Sequence, residues 1–235
     1  MALTLQNIYP GPRLKADRVT LFLQLIRAVN RAVKMSQHFA LGLVIAMGCA
    51  SATAAPTADE MIQSTVNQLI SELRERRAEL EADHGALYAL VEELVIPKIA
   101  LNKVARLILG SHWKTASEEQ RERFTMGFKN LLMRTYATAM FEYTGDQELR
   151  FGEVTLRAEG RIAVVPTEVV LPAQTPVPVD YYCLLTADGL WQIYDIQVDG
   201  ISLIISFRNQ YGEYIDANGL DALIESLEEK MAENL

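Results

Sequence analysis

The chain has 235 residues, half of them hydrophobic, with 22 Lys and Arg against 30 Asp and Glu for a formal net charge of −8. Residues 1–54 hold six of the basic residues and one acid, Asp17, so 55–235 keep 16 basic against 29 acidic residues, a net of −13. That balance argues against a nucleic-acid binder and against adsorption to anionic lipid heads, while the apolar content suffices for the core of one ordinary domain.

In chain order the first feature is FALGLVIAMG (39–48), an apolar run too short to span a bilayer as a helix. CASATAAPTADE follows, in which Ala52-Thr53-Ala54 has the small-x-small pattern of a signal-peptidase site. A secretory signal peptide cut after Ala54 is expected, with Ala52 the alternative and a single domain over 55–235. A buried core helix fits the small-residue stretch poorly. Residues 1–32 are expected to be an upstream extension that is never made, because a start at Val33 would place Lys34 ahead of the apolar run. Lipidation at Cys49 is not expected: Ala46 stands where a Leu-like residue is usual, and Met47 is bulky. After cleavage Cys183 alone remains, which rules out an intrachain disulfide and suits a small buried apolar residue.

Helical signals fill 57–144. Thr57-Ala-Asp-Glu60 is a capping-box pattern ahead of Ile62, Val66, Leu69 and Leu73 at helical spacing. A break at Asp83-His84-Gly85 precedes a second helix to Leu94, stopped near Pro97; a third runs over about 101–109 to Gly110. Ser117-Glu-Glu-Gln120 is another capping box, opening a long helix to about Tyr143 with Phe124, Phe128, Leu132, Tyr136 and Met140 along one stripe. From Arg150 the period becomes two, predicting four antiparallel strands near 150–157, 161–171, 177–186 and 190–198, with turns at PAQTP (172–176) and ADG (187–189). In the third strand Val177, Val179, Tyr181, Cys183 and Leu185 point one way. The fourth switches its apolar side midway: Trp191 and Ile193 share one face, Tyr194, Ile196 and Val198 the other. A bent strand, or one covered on both sides, would explain this. Gly200 allows a sharp turn. Ser202 then caps a helix with Leu203, Phe207, Tyr211 and Tyr214, although ISLIISF reads equally well as strand, and a last helix covers 220–233. Helices followed by a meandering sheet make an α+β domain with helices on one side.

The chemistry-bearing patterns are sparse. The chain holds no GxxxxGK[ST] phosphate loop and no GxSxG nucleophile elbow, and His84 and His112 have no metal-ligand spacing. Asp195, in an apolar strand, could be a buried base, but a structural Asp paired with Arg208 is the expectation. Catalytic and metal residues are therefore expected to be none. What remains is apolar surface beyond the needs of one sheet face, which fits either a generous core or a cavity between the long helix and a curved sheet.

LGSHWKTASEEQRERFTMGFKNLLMRTYA (109–137) and DYYCLLTADGLWQIYDIQVDGISLIISFRNQY (180–211) resemble the two motif blocks of the MlaC family, the toluene-tolerance auxiliary proteins. The matching residues are Gly110 and Trp113; Ser117, Glu119, Gln120 and Arg121; Trp191, Tyr194 and Asp195; Gly200, Ile201, Ser202 and Leu203; Arg208, Gln210 and Tyr211. The resemblance covers roughly 97–228. His112 stands where a basic residue is common and Asn102 where an acid is, and 57–95 match in helical character alone.

The resemblance implies an α+β fold of NTF2-like or cystatin-like form, its curved four-stranded antiparallel sheet and N-terminal helices enclosing an apolar pocket. It implies a periplasmic, monomeric phospholipid carrier without cofactor, the lipid being cargo. Its partners would be an outer-membrane lipoprotein–porin complex and an inner-membrane ABC-type transporter, and its role would be to maintain outer-membrane lipid asymmetry. The expected lipid-binding residues are Phe128, Leu132, Tyr136 and Met140, facing Val179, Tyr181, Tyr194, Ile196, Val198, Leu203 and Phe207. The rival expectations are a small-molecule lyase or isomerase on the same cone-shaped fold, using Asp195, and a cell-envelope adaptor with a filled core.

Overall fold

The computed structural model describes residues 55–137, 140, 148–170 and 175–232. The apolar run 39–48, the cleavage position after Ala54, Cys49, most of the turn 172–176 and the helix end expected at Tyr143 lie outside the described residues.

Local signals place the helices. In α1 (Ala58–Glu75) the Thr57 N–H donates to Glu60 Oε2 at 2.9 Å, closing the capping box. A short α2 (Arg77–Ala82) follows, and Asp83 caps α3 (His84–Leu94) by accepting from the N–H groups of Gly85 and Ala86. Pro97 sits in a 3₁₀ turn, Ile96–Lys98, where its missing N–H does no harm. Helix α4 (Leu101–Leu109) ends at Gly110, whose φ of 55° suits glycine. After a one-turn α5 (His112–Thr115), Ser117 and Gln120 exchange reciprocal caps and open α6 (Glu118–Ala137).

The sheet is antiparallel, as its period-two pattern requires, but among the described residues it has six strands rather than four. The expected first strand breaks at Gly152-Glu153 into β1 (Glu148–Phe151) and β2 (Thr155–Arg157). Both pair with the long β3 (Ile162–Val170), one at each end. Next come β4 (Val177–Leu185), β5 (Trp191–Val198) and the two-residue β6 (Ile201–Ser202). Asp199 and Gly200, with φ of 50° and 74°, form the tight loop between β5 and β6. The double positive φ is the pattern a two-residue hairpin prefers. ISLIISF is thus strand for two residues, then helix. Ser202 Oγ accepts from Ile205 N–H and starts α7 (Leu203–Asn218), which Gly219 separates from α8 (Leu220–Ala232).

The mid-strand switch in β5 has a simple cause. Tyr182 faces Asp195 while Cys183 faces Ile193, so Tyr194 is an extra residue, a β-bulge. Because paired residues share a face, Ile193 returns to the same side as Ile196 and Val198. Tyr194 goes to the opposite side, where its ring meets Tyr182 edge-on at 6.3 Å and lies below Lys103 Nζ. The expectation that Tyr194, Ile196 and Val198 share a face is therefore corrected.

The helices gather beside and over one face of the sheet. Helix α1 packs on β3 and β5, α7 on β5, and the main neighbours of α6 are the helices α3, α4 and α8. Among the described residues, buried apolar side chains form three clusters. The first joins α4, α6, α7 and α8 around Phe124 and Phe128; the second joins α1, α2, α3 and α6 around Leu80 and Leu87. The third joins the start of α1 to the sheet through Ala58, Met61, Ile62, Ala163, Val165 and Cys183. A domain of this size usually has one contiguous core. Among the described residues the buried core falls into three parts.

Candidate functional site

The inner sheet face follows from the register. Ala163, Val165 and Thr167 of β3 face Cys183, Tyr181 and Val179 of β4, which in turn face Ile193, Ile196 and Val198 of β5. None of the nine is charged. Thr167 is 2 % exposed, and its Oγ1 donates to the Val179 carbonyl at 2.7 Å, so its hydroxyl is satisfied within the sheet. Burial pushes the Tyr181 phenol up to about 12 and the Cys183 thiol to about 12. A thiol so held protonated is no nucleophile at neutral pH.

Helix α1 covers the Ala163–Cys183 end of this face. At the other end Val179 and Val198 are buried and Ile196 is partly buried, yet none belongs to any of the three clusters. Helix α6 shows a matching division. Phe124, Phe128 and Leu131 enter the first cluster, Met133 and Ala137 the second. Leu132, which packs beside the first cluster, and Tyr136 lie on the helix face between these two sets and stay partly exposed. This sector and the half of the sheet face that lies outside the three clusters are the candidate walls of an apolar site.

The expected binding residues thus fall into groups. Phe128 and Phe207 meet edge-to-face at 5.0 Å, and both touch Tyr211, so they close the helical cluster. Leu132 packs beside that cluster and Met140 beside the second. Tyr136 and Leu203 are partly buried. Val179, Tyr181, Ile196 and Val198 share the inner face, whereas Tyr194 lies on the outer one. The inward-facing Cys183, Ile193, Thr167 and Thr125 are additional. Thr125 is 8 % exposed and returns its hydroxyl to the Arg121 carbonyl, so its polar type concealed an inward position.

Asp195 also differs from expectation. It does not pair with Arg208. Its Oδ1 accepts from the N–H groups of Ile196 (2.9 Å) and Ile204 (3.1 Å), and its Oδ2 accepts from Ser202 Oγ (2.6 Å). The carboxylate pins the start of α7 to the bulged strand. Arg208 Nε donates to the Leu107 carbonyl at the end of α4, beside Gly110, and Arg121 Nε donates to the Trp113 carbonyl while its guanidinium covers the Trp113 ring at 5.2 Å. These motif residues build scaffold.

Two clefts of about 340 and 370 Å³ are lined by helix and loop residues, most of them polar. One lies between α1 and α3, at Gln68, Glu72 and Glu93; the other lies between α7 and the end of α4, at His112, Arg208 and Asp216. Among the described residues, no cluster of three His, Cys, Asp or Glu could hold a metal, and no helix is long and apolar enough to cross a membrane.

A family model described as "MlaC protein" matches residues 63–229. The toluene tolerance protein ttg2D of Pseudomonas putida is 26% identical over 169 residues, covering 72% of this chain and 77% of that protein. The intermembrane phospholipid transport system binding protein MlaC of Haemophilus influenzae is 22% identical over 176 residues, covering 74% and 81%. A phospholipid-binding protein from Ralstonia solanacearum, solved in complex with a phospholipid, superimposes with a TM-score of 0.67 at 24% identity, over 76% of this chain and 98% of that one, and shows the shared fold.

Proposed function

The chain belongs to the MlaC family, and on that premise we propose that it is a soluble periplasmic carrier that holds a phospholipid by its acyl tails. It would exchange that lipid between an outer-membrane lipoprotein complex and an inner-membrane ATP-driven transporter, and so maintain outer-membrane lipid asymmetry. Family membership over 63–229 is the observation that carries this reading. The name of the Haemophilus relative and the phospholipid held by the Ralstonia protein support it.

The physical requirement is apolar lining without charge. Burying one CH₂ is worth about 0.8 kcal/mol, so two tails of ~16 carbons represent roughly 25 kcal/mol. A bilayer offers nearly the same, and a carrier must match it closely in order both to load and to unload. The uncharged inner sheet face, the divided core and the inward sector at Leu132 and Tyr136 suit that demand. The tails would lie between that sector and Val179, Ile196 and Val198, with Leu203 and Phe207 alongside and the head group in water.

Catalysis is not part of the reading, because all three hydrogen bonds made by Asp195 serve the β5–α7 junction. No cofactor is required. A secretory signal peptide ending at Ala54 would bring the carrier to the periplasm, where a monomer suits a shuttle. The test is direct: purify the protein without detergent, extract it with organic solvent and analyse by mass spectrometry. Near-stoichiometric phospholipid is expected. A protein that is folded, lipid-free and unable to take phospholipid from vesicles would refute the proposal.

A further inference from the structure

Residues 77–94, the α2–α3 hairpin, are joined to the rest of the molecule at two ends and pack between α1 and α6. Arg76 departs from helical backbone at φ −111°, ψ 18°, and separates the hairpin from α1. Beyond α3 the 3₁₀ turn leads to Ala100, whose N–H donates to the Ile193 carbonyl at 2.9 Å and ties the chain to β5. Between these ends Leu87, Leu90 and Val91 lie against Met133 and Ala137 of α6. Toward α1, α3 meets the cleft of about 340 Å³ lined by Leu90 and Leu94 together with polar side chains. Helix α3 therefore packs on α6 along one side and, beside that cleft, shares the buried cluster with Leu73 of α1 and Leu80 of α2.

Lys129 of α6 enters that packed seam. Its side chain is 8% exposed, and Nζ donates to Glu92 Oε1 of α3 at 2.5 Å, while Glu92 remains about half exposed at 49%. Lys129, Leu132 and Tyr136 are spaced i, i+3 and i+7, so they follow one face of α6. Lys129 therefore adjoins, on the same face of α6, the two residues assigned to the wall of the acyl site.

The choice of an ion pair matters physically. In a closed seam the mutual attraction of two charges is largely offset by their lost hydration, and an apolar pair of similar volume often holds better. When the seam parts, the Lys129 ammonium regains the water that the half-exposed Glu92 keeps throughout. An ion pair therefore makes a contact that is specific when shut and inexpensive to open. Apolar side chains at the same place would hold it shut.

We propose that the α2–α3 hairpin is the flap through which acyl tails enter and leave, and that the Lys129–Glu92 pair keeps its seam with α6 openable. This rests on the carrier reading above. Two variants push in opposite directions. Lys129→Met replaces the buried charge with an unbranched apolar chain and leaves Glu92 to water; Glu92→Gln removes the counter-charge of the buried ammonium and leaves it a neutral acceptor. Each would be loaded with a fluorescent phosphatidylethanolamine, and transfer to phosphatidylethanolamine–phosphatidylglycerol vesicles timed. Amide hydrogen exchange of α3 would be followed in parallel. Lys129→Met should slow both α3 exchange and lipid transfer by about fivefold or more, and Glu92→Gln should speed both by a similar factor.

If α3 protection shifts as stated while transfer rates stay equal, the flap is not the portal and the proposal is overturned. Unchanged α3 protection in both variants overturns the role of the ion pair. A natural protein that neither holds nor acquires the labelled lipid defeats the carrier reading itself, and with it the portal. That outcome is separate, because it appears before any variant is made.

Discussion

The junction at Asp195 allows a graded test. One carboxylate accepts from the N–H of Ile196, the N–H of Ile204 and the hydroxyl of Ser202, tying strand β5, the β5–β6 hairpin and the first turn of α7 together. Asp195→Ala removes all three acceptors. A donor left unsatisfied costs about 1–3 kcal/mol when buried, and Asp195 is only partly buried, so the lower figure applies and the total is about 3–4 kcal/mol. Asp195→Asn keeps Oδ1 for the two backbone donors and exchanges only the Ser202 contact, since the amide can donate to that hydroxyl. Its cost should be about 1 kcal/mol. For a domain of this size 1 kcal/mol moves Tm by about 2–4 °C, which gives drops of roughly 10 °C for Ala and 3 °C for Asn. Thermal unfolding by circular dichroism reads both, with lipid content measured on the same samples below the transition. Equal losses in the two variants would refute the assignment of the backbone donors. An Asn variant of normal Tm that had lost its lipid would show instead that Asp195 faces the cargo.

The bulge makes a second prediction. Tyr194→Ala, on the outer face, should leave bound phospholipid unchanged, whereas Ile196→Arg should give folded protein depleted of lipid on mass spectrometry; the reverse result would reject the face assignment. Two helix glycines should respond with opposite signs. A Cβ at Gly212 meets nothing within 4 Å, so Gly212→Ala should add about 1 kcal/mol of stability in urea unfolding. A Cβ at Gly127 comes 3.1 Å from Leu227 Cβ across the tight α6–α8 contact, so Gly127→Ala should lose about 1 kcal/mol despite its better helix propensity. The inner face also sets an alkaline limit. Burial raises the Tyr181 phenol from 10.0 to about 12 and the Cys183 thiol from 9.0 to about 12, so the fold favours both protonated forms. Their stabilising contribution is complete below pH 9 and is lost as pH rises toward 12. A Tyr181→Phe, Cys183→Ala double variant should show a shallower fall of Tm across that window, and parallel curves would rule the mechanism out.

The residues from 57 onward determined the elements, because caps and periods act over a few positions. Thr57 with Glu60, Ser117 with Gln120, Asp83, Gly110 and Ser202 each start or stop a helix by bonding to backbone within four residues of themselves. The alternation in 177–185 likewise disclosed which residues of β4 share a face, and the two motif blocks disclosed the family. The fold class was legible for these reasons. Which wall each apolar residue joins was not. The single stripe along α6 divides between two clusters because α3 and α4 approach it from different directions, and the sequence of α6 holds no trace of its neighbours. Tyr194 left its expected face because one extra residue opposite Tyr182 shifts the register, and a register exists only once two strands are paired. Lys129 read as one more charge on a helix. Only Glu92, 37 residues earlier in the chain, and the closure of α3 over it make Lys129 a buried partner at the seam.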